Sequence, residues 1–132
     1  MKSTHQLSIQ EYSKVLASLV GTPYTELDCW GVVRELYKRC FDIELNNYYD
    51  LPPNDIHKAN KLIYTNKGDL IKVEGEPEFG DIILIFLFGV ECHIAAYIGD
   101  GKILHTNQNS GCMIDKYSRW ERRISGVYRI KL

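Results

Sequence analysis

The sequence predicts an α+β fold in which N-terminal helices pack on an antiparallel β-sheet of about five to six strands. Apolar residues recur at helical spacing through the first half of the chain, and from residue 70 onward β-rich segments alternate with turns. A hydrophobic content of 45% and a charged content of 25% are ordinary for a soluble globular protein. The length of 132 residues predicts one domain, 1–132, that is large enough to form a stable hydrophobic core.

The helices are predicted from caps and apolar stripes. Ser8 to Glu11 form a capping box for a first helix, which Gly21 ends as its C′ residue. Asp28 is a good N-cap for a second helix from about Trp30 to Cys40. Further on, the pattern predicts a short extended piece (Phe41–Leu45), a loop (Asn46–Pro53) and a weaker third helix (Asn54 to about Tyr64).

The strands are predicted from β-branched and apolar runs between turn signals. Ile82–Phe88 is apolar throughout, as expected for a central strand covered on both faces. Gly99-Asp100-Gly101 is a hairpin signal between two strands. The other predicted strands are Leu70–Val73, His93–Ile98, Lys102–Thr106 and Ser125–Leu132.

Charge and composition exclude several classes of partner. A net charge of -1 gives no electrostatic reason to bind nucleic acid or an anionic membrane. The longest apolar run is far shorter than the ~20 residues of a membrane-spanning helix. The polar start Met1–Gln6 shows no secretion signal, which predicts a chain that is cytoplasmic when synthesised. The four cysteines form no CxxC pair, which favours a reduced compartment.

Cys29 is the candidate nucleophile. It is expected at the start of the second helix, where the helix dipole and unpaired N–H groups favour a thiolate. The alternative is that Cys29 is a small buried apolar residue, as most free cysteines are. Cys40, Cys92 and Cys112 are read as structural.

His93 and His105 are the candidate partners of that thiol. With a three-residue loop, Gly99 to Gly101, they become diagonal neighbours on one sheet face. A two-residue loop without a bulge would place them on opposite faces, and the sequence leaves this open. Either histidine taken alone is more often structural than catalytic.

Together these residues suggest a thiol hydrolase. His93 would take the thiol proton, His105 would fix the tautomer of His93, and the N–H of Cys29 would bind the oxyanion. The Tyr24 hydroxyl is an auxiliary polar candidate. A thiolate–imidazolium pair would give a bell-shaped pH–rate profile.

Zinc binding by Cys92, His93, His105 and Cys112 is the rival interpretation. Their spacing matches no compact zinc signature, and adjacent strand residues point apart. No metal or other cofactor is therefore predicted.

The ordered motifs resemble the NlpC/P60 cysteine peptidases, which have a papain-like core. Tyr24 precedes Asp28-Cys29-x-Gly31, Gly80-Asp81 leads into an apolar strand, and His93 to Gly99 is followed by His105. Trp30 departs from the small residue that many members carry there. The stretches Asp28–Arg34 and Phe41–Leu45 are similar to the branch found in phage tail-tip and tail-assembly proteins.

This resemblance implies hydrolysis of amide bonds in peptidoglycan stem peptides, typically beside γ-D-glutamyl and diaminopimelate residues. It implies Cys29 as nucleophile, His93 as base, His105 as orienting residue and Tyr24 as auxiliary residue, with Asp28 and Trp30 at the substrate groove. It also implies possible tail proteins as partners and association with a virion. Two alternatives remain open: a non-catalytic tail-assembly module, and a thiol acyltransferase or amidase acting on a substrate outside the cell wall.

Overall fold

The fold comprises two main helices followed by a six-stranded sheet, in a computed structural model that describes residues 7–45, 70–87 and 90–130. The helices and strands are α1 (Ile9–Leu19), α2 (Cys29–Phe41), β1 (Leu70–Lys72), β2 (Ile82–Leu87), β3 (Val90–Tyr97), β4 (Lys102–Asn107), β5 (Gly111–Lys116), α3 (Tyr117–Trp120) and β6 (Ile124–Ile130). A 3-10 turn at Glu121–Arg123 joins α3 to β6. The predicted α+β class and its strand number are confirmed.

Helix α1 begins and ends as its caps predict. Ser8 and Glu11 form a complete capping box, in which the Glu11 N–H donates to Ser8 Oγ at 3.2 Å. The helix stops at Leu19, and Gly21 follows with φ +92°, a conformation that glycine adopts without a steric cost. The amphipathic helix packs against α2.

The sheet is antiparallel throughout, in the order β1-β6-β2-β3-β4-β5. Strand β2 pairs with β3 on one side and β6 on the other, so the predicted central position is confirmed. Its side chains alternate between two buried clusters. Ile82 and Leu84 lie in the cluster that contains α2, whereas Ile83 and Ile85 lie in the cluster on the opposite face.

An ion pair between a buried carboxylate and a partly exposed guanidinium connects the start of β2 to the last strand. Asp81 is 1% exposed, and its two oxygens accept from Arg129 Nε and Nη2, both at 2.8 Å. The Tyr37 hydroxyl of α2 donates to the Gly80 carbonyl at 2.7 Å in the same place. The Tyr37 bond fixes α2 against the sheet, and the ion pair fixes the start of β2 to β6.

The described structure differs from the sequence predictions at residues 41–45 and at strand β5. The predicted extended piece Phe41–Leu45 is not a strand, because Phe41 is the last residue of α2 and Asp42 caps it with φ 56°. Strand β5 was not predicted, although it completes the sheet. The predicted loop Asn46–Pro53 and third helix to Tyr64 lie outside the described residues. Among the residues that are described, no helix is long and apolar enough to cross a bilayer.

Candidate active site

Cys29 is the first residue of α2, one position earlier than predicted, and Asp28 is its N-cap as expected. Asp28 Oδ1 accepts from the Gly31 N–H at 2.7 Å. A β-carbon at Gly31 would lie 3.0 Å from that same oxygen, so glycine lets the cap approach closely. Capping thus holds the Cys29 backbone at the helix start.

The Cys29 sulfur lies beside strand β3. The N–H groups of Cys29 and Trp30, at the helix start, and of Ile94, in β3, donate to the sulfur and lower its pKa. The sulfur therefore lies next to the peptide that joins His93 to Ile94. This places the thiol at the predicted histidine strand.

The expectation of an activated thiolate is not met by the free protein. Burial raises the pKa of Cys29 from its ordinary 9.0 to about 12, and the Asp28 carboxylate adds to this effect. The side chain is 2% exposed, so loss of hydration outweighs the three N–H donors of the helix start and β3. The thiol is neutral at physiological pH.

The two histidines lie on one face and contact each other, as a three-residue loop predicts. The hairpin pairs Ala96 with Leu104 and Tyr97 with Ile103, a register in which His105 faces Ala95. His93 Nε2 lies 3.1 Å from His105 Nδ1. This bond leaves His93 Nδ1 as the ring nitrogen available to a thiol.

Both imidazoles are neutral. Burial and, to a smaller extent, the neighbouring His105 lower the pKa of His93 from 6.5 to about 3. Burial also lowers the pKa of His105, although the Asp115 carboxylate opposes this shift. Burial thus favours a neutral thiol and neutral imidazoles in the free site, whereas the sequence predicts a thiolate–imidazolium pair.

The imidazoles and the thiol approach β3 from different faces. Cys29 packs in the α2 cluster with Ile94, whereas His93 contacts the ring of Trp120 on the opposite face. Within the described residues no hydrogen bond joins the sulfur to His93. Catalytic contacts are often loose in free enzymes and tighten only with substrate, so transfer of the thiol proton to His93 requires the two side chains to approach each other when substrate binds.

Asp115 is a site residue that the sequence interpretation missed. Strand β5 pairs His105 with Met113 and Ile103 with Asp115, which makes Asp115 the diagonal neighbour of His105. Asp115 Oδ2 lies 3.5 Å from His105 Nε2. Period-two alternation after the Asn107–Ser110 turn was the available signal for this strand.

Tyr24 and Asp28 border open cavities, whereas Trp30 does not. A cavity of about 490 Å³ lies between the Tyr24 loop and the β4–β5 turn. A second, of about 280 Å³, is lined by Tyr24, Asp28 and Arg34 among others. Trp30 is 1% exposed and lies in the α2 cluster, so the expectation that it lines a groove is not met.

The rival zinc site is not supported by the sheet geometry. Cys112 belongs to the α2 cluster, whereas His105 points to the other face with Trp120. Their side chains therefore lie on opposite sides of the sheet. In the described part of the chain, no group of three or more histidine, cysteine, aspartate or glutamate residues has a geometry suited to a metal.

The fold and the cysteine–histidine arrangement define an α+β domain with a candidate thiol site. The NlpC/P60 family model matches residues 18–129, and the chain belongs to the NlpC/P60 family. Members of this family are typically peptidoglycan hydrolases. No curated protein matches the sequence.

Several solved structures share the fold at low sequence identity. A NlpC/P60 family protein from Bacillus cereus ATCC 10987 has a TM-score of 0.62 and 18% identity, over 96% of this chain and 41% of that one. The NlpC/p60 domain of the peptidoglycan hydrolase SagA has a TM-score of 0.56 and 15% identity, over 96% and 100%. The P60 domain of the M. avium subspecies paratuberculosis antigen MAP1204 has a TM-score of 0.61 and 15% identity, over 94% and 96%. The chain thus spans less than half of the Bacillus cereus protein but nearly all of the two isolated domains.

Proposed function

We propose that this chain is a cysteine endopeptidase or amidase that hydrolyses amide bonds in peptidoglycan stem peptides, of the γ-D-glutamyl–diaminopimelate type. Membership of the NlpC/P60 family supports the substrate class. The single observation that carries the proposal is the thiol of Cys29 at a helix start, beside the strand that presents His93. The whole of residues 1–132 is proposed to act as one catalytic domain.

In the proposed reaction, Cys29 is the nucleophile and His93 the base. Since His93 Nε2 faces His105, its Nδ1 accepts the thiol proton as the sulfur attacks the carbonyl carbon. The N–H of Cys29 donates to the oxyanion, with the Tyr24 hydroxyl as an auxiliary donor. His93 then protonates the leaving amine, and water hydrolyses the thioester to restore the thiol.

Neutral starting groups are compatible with this chemistry. Proton transfer and attack proceed together, so the thiolate need not accumulate before substrate binds. His105 orients His93, a role that the 3.1 Å separation between their ring nitrogens supports. Asp28 contributes both the helix cap and part of the cavity beside Tyr24.

Purified protein incubated with isolated sacculi or defined muropeptides tests the proposal. Mass spectrometry should show products that have gained one water at an amide bond. Cys29→Ala should abolish release, whereas the matched control Cys40→Ala, which removes another buried thiol of α2, should retain it. Equal release by wild type and Cys29→Ala would refute the enzymatic role.

A non-catalytic tail-assembly or interaction module is the second candidate. The neutral, 2% exposed thiol of Cys29 favours it, because a buried thiol is a poor nucleophile without rearrangement. In that case phage tail proteins would be the partners, and Cys29→Ala would leave particle assembly intact.

Products formed by acyl transfer without addition of water would instead indicate a thiol acyltransferase.

A further inference from the structure

We infer that Asp115, held in place by Trp120, is a positioning residue that sets the direction of the hydrogen bond between His105 and His93. Its catalytic consequence rests on the function proposed above. Its effect on the two imidazoles does not, because it concerns the free protein. The observations are the contacts that Asp115 and Trp120 make with each other and with the two histidines.

Asp115 is fixed from three sides. Its Oδ2 accepts from Trp120 Nε1 at 3.0 Å, and its Oδ1 accepts from the Lys116 N–H at 2.8 Å. Arg119 Nε lies 3.5 Å from Oδ1. The Asp115 side chain is 9% exposed, so this carboxylate has little freedom to turn away from His105.

The carboxylate is ionised at neutral pH. Burial alone would raise the pKa of Asp115, but bonds from Trp120 and Lys116, with the charge of Arg119, hold it below its usual value. An ionised carboxylate only accepts hydrogen bonds. His105 Nε2 faces this carboxylate at 3.5 Å, without a hydrogen bond between them in the free protein, so the negative charge favours the proton on that nitrogen.

This choice of tautomer propagates through the pair. With its proton on Nε2, His105 has a free lone pair on Nδ1, which must accept from His93 Nε2 across the 3.1 Å bond. His93 then keeps a free lone pair on Nδ1, as a base for Cys29 requires. The reverse direction would place a proton on His93 Nδ1 and block that role.

Trp120 contributes more than its N–H group. Its ring lies 5.3 Å from the His105 ring and 6.2 Å from the His93 ring, between centroids. The indole therefore covers both imidazoles while it holds the carboxylate. The Arg123 guanidinium lies over the outer side of this indole, 5.8 Å from its centroid.

Nitrogen-detected NMR of the imidazoles tests the tautomers directly. Wild type should show the proton on Nε2 of both His93 and His105. Asp115→Ala removes the negative charge that faces His105 Nε2 and should shift both rings toward a mixture of tautomers. The matched control Lys116→Ala truncates the next, exposed side chain of β5 and should match wild type.

A second variant guards against loss of folding in Asp115→Ala. Trp120→Phe keeps a ring over the histidines but removes the donor to Asp115. It should shift the tautomers in the same direction, by a smaller amount. A wild-type His105 protonated on Nδ1, or unchanged tautomers in both folded variants, would overturn the inference.

Kinetics on muropeptides separate the inference from the proposed function. Asp115→Ala should lower kcat by about ten- to a hundredfold, with KM within about twofold of wild type, since orientation is lost rather than binding. In a His105→Ala background it should add nothing, because it acts through His105. A kcat loss without a tautomer change, or a tautomer change without a kcat loss, would refute the positioning role. Inactive wild type would refute the proposed function and leave the NMR result standing.

Discussion

At the scale of single residues, Cys29 is subject to two opposing influences. The helix start and the Ile94 N–H stabilise a thiolate, whereas burial and the neighbouring Asp28 destabilise it. Burial is the largest of these effects, which a sequence motif does not reveal. The motif therefore predicts that Cys29 lies at a helix start, which the structure shows, but not the effect of burial on the pKa of its thiol.

Alkylation of the Cys29 thiol should be slow near neutral pH, and its rate should rise steadily as the pH is raised. A pKa raised from 9.0 to about 12 lowers the thiolate fraction at pH 7 about a thousandfold. Iodoacetamide labelling followed by peptide mass mapping from pH 5 to 10 measures this rate. A fast, pH-independent rate below pH 7, abolished in His93→Ala, would instead indicate the thiolate–imidazolium pair and its bell-shaped activity profile.

The candidate site was predictable to the extent that local signals define it. Cys29 follows a helix cap, and His93 and His105 flank a glycine-rich hairpin, so a local sequence motif identifies each of them. Asp115 follows no such signal, and its role depends on the pairing of β5 with β4. The burial of Trp30 in the α2 cluster was not predictable, because its position next to Cys29 says nothing about which way its side chain turns.

At the scale of secondary structure elements, Asp28 at the start of α2 affects both the stability of the helix and the reactivity of the Cys29 thiol. The Asp28 side chain both caps the helix and raises the pKa of Cys29. Asparagine caps a helix about as well as aspartate but carries no charge. Two substitutions at this one position therefore separate the two effects.

Asp28→Ala should lower the free energy of unfolding by about 1 kcal/mol, and Asp28→Asn by much less. Urea denaturation of both variants measures the difference. Asp28→Asn should also increase the alkylation rate of Cys29 at pH 8, because the nearby negative charge is gone. Equal destabilisation by both substitutions would contradict the capping role.

The loop before α2 is attached to the edge of the sheet. Gly21 N–H donates to the Cys112 carbonyl and Cys112 N–H donates to the Thr22 carbonyl, both at 2.8 Å. Gly111 permits this contact: its φ is +71°, and a β-carbon there would lie 2.4 Å from the Thr22 oxygen. Strand β5 thus positions the loop that carries Tyr24.

Gly111→Ala should destabilise the protein more than Gly101→Ala. Both glycines have positive φ, but a β-carbon at Gly101 meets nothing within 4 Å, so that variant has only the backbone cost of about 1 kcal/mol. Gly111→Ala adds the clash with Thr22. Thermal unfolding of the two variants measures the difference, and equal melting temperatures would exclude a tight loop–sheet contact.

At the scale of the whole molecule, the sheet separates two buried environments. The α2 side holds the thiol, and the opposite side holds the two imidazoles with Asp115 and Trp120. The order of the helices and strands was predictable from apolar periodicity, together with the cap and turn residues that mark the ends of each element. How strongly each environment desolvates a titratable group depends on packing between distant segments, which periodicity does not encode.

Stability should therefore fall as the solution is acidified below about pH 6.5. Burial keeps His93 and His105 neutral in the folded protein, with the pKa of His93 lowered from 6.5 to about 3. The unfolded chain binds these protons from about pH 6.5 downward, whereas folded His93 does not bind its proton until about pH 3. Each such histidine then lowers the free energy of unfolding by up to about 1.4 kcal/mol per pH unit.

Urea denaturation from pH 7 to pH 4 measures this slope, and His93→Gln should reduce it because one titrating group is removed. A wild-type slope equal to that of His93→Gln would show that His93 is protonated alike in the folded and unfolded states, and that its imidazole is not held neutral in the site.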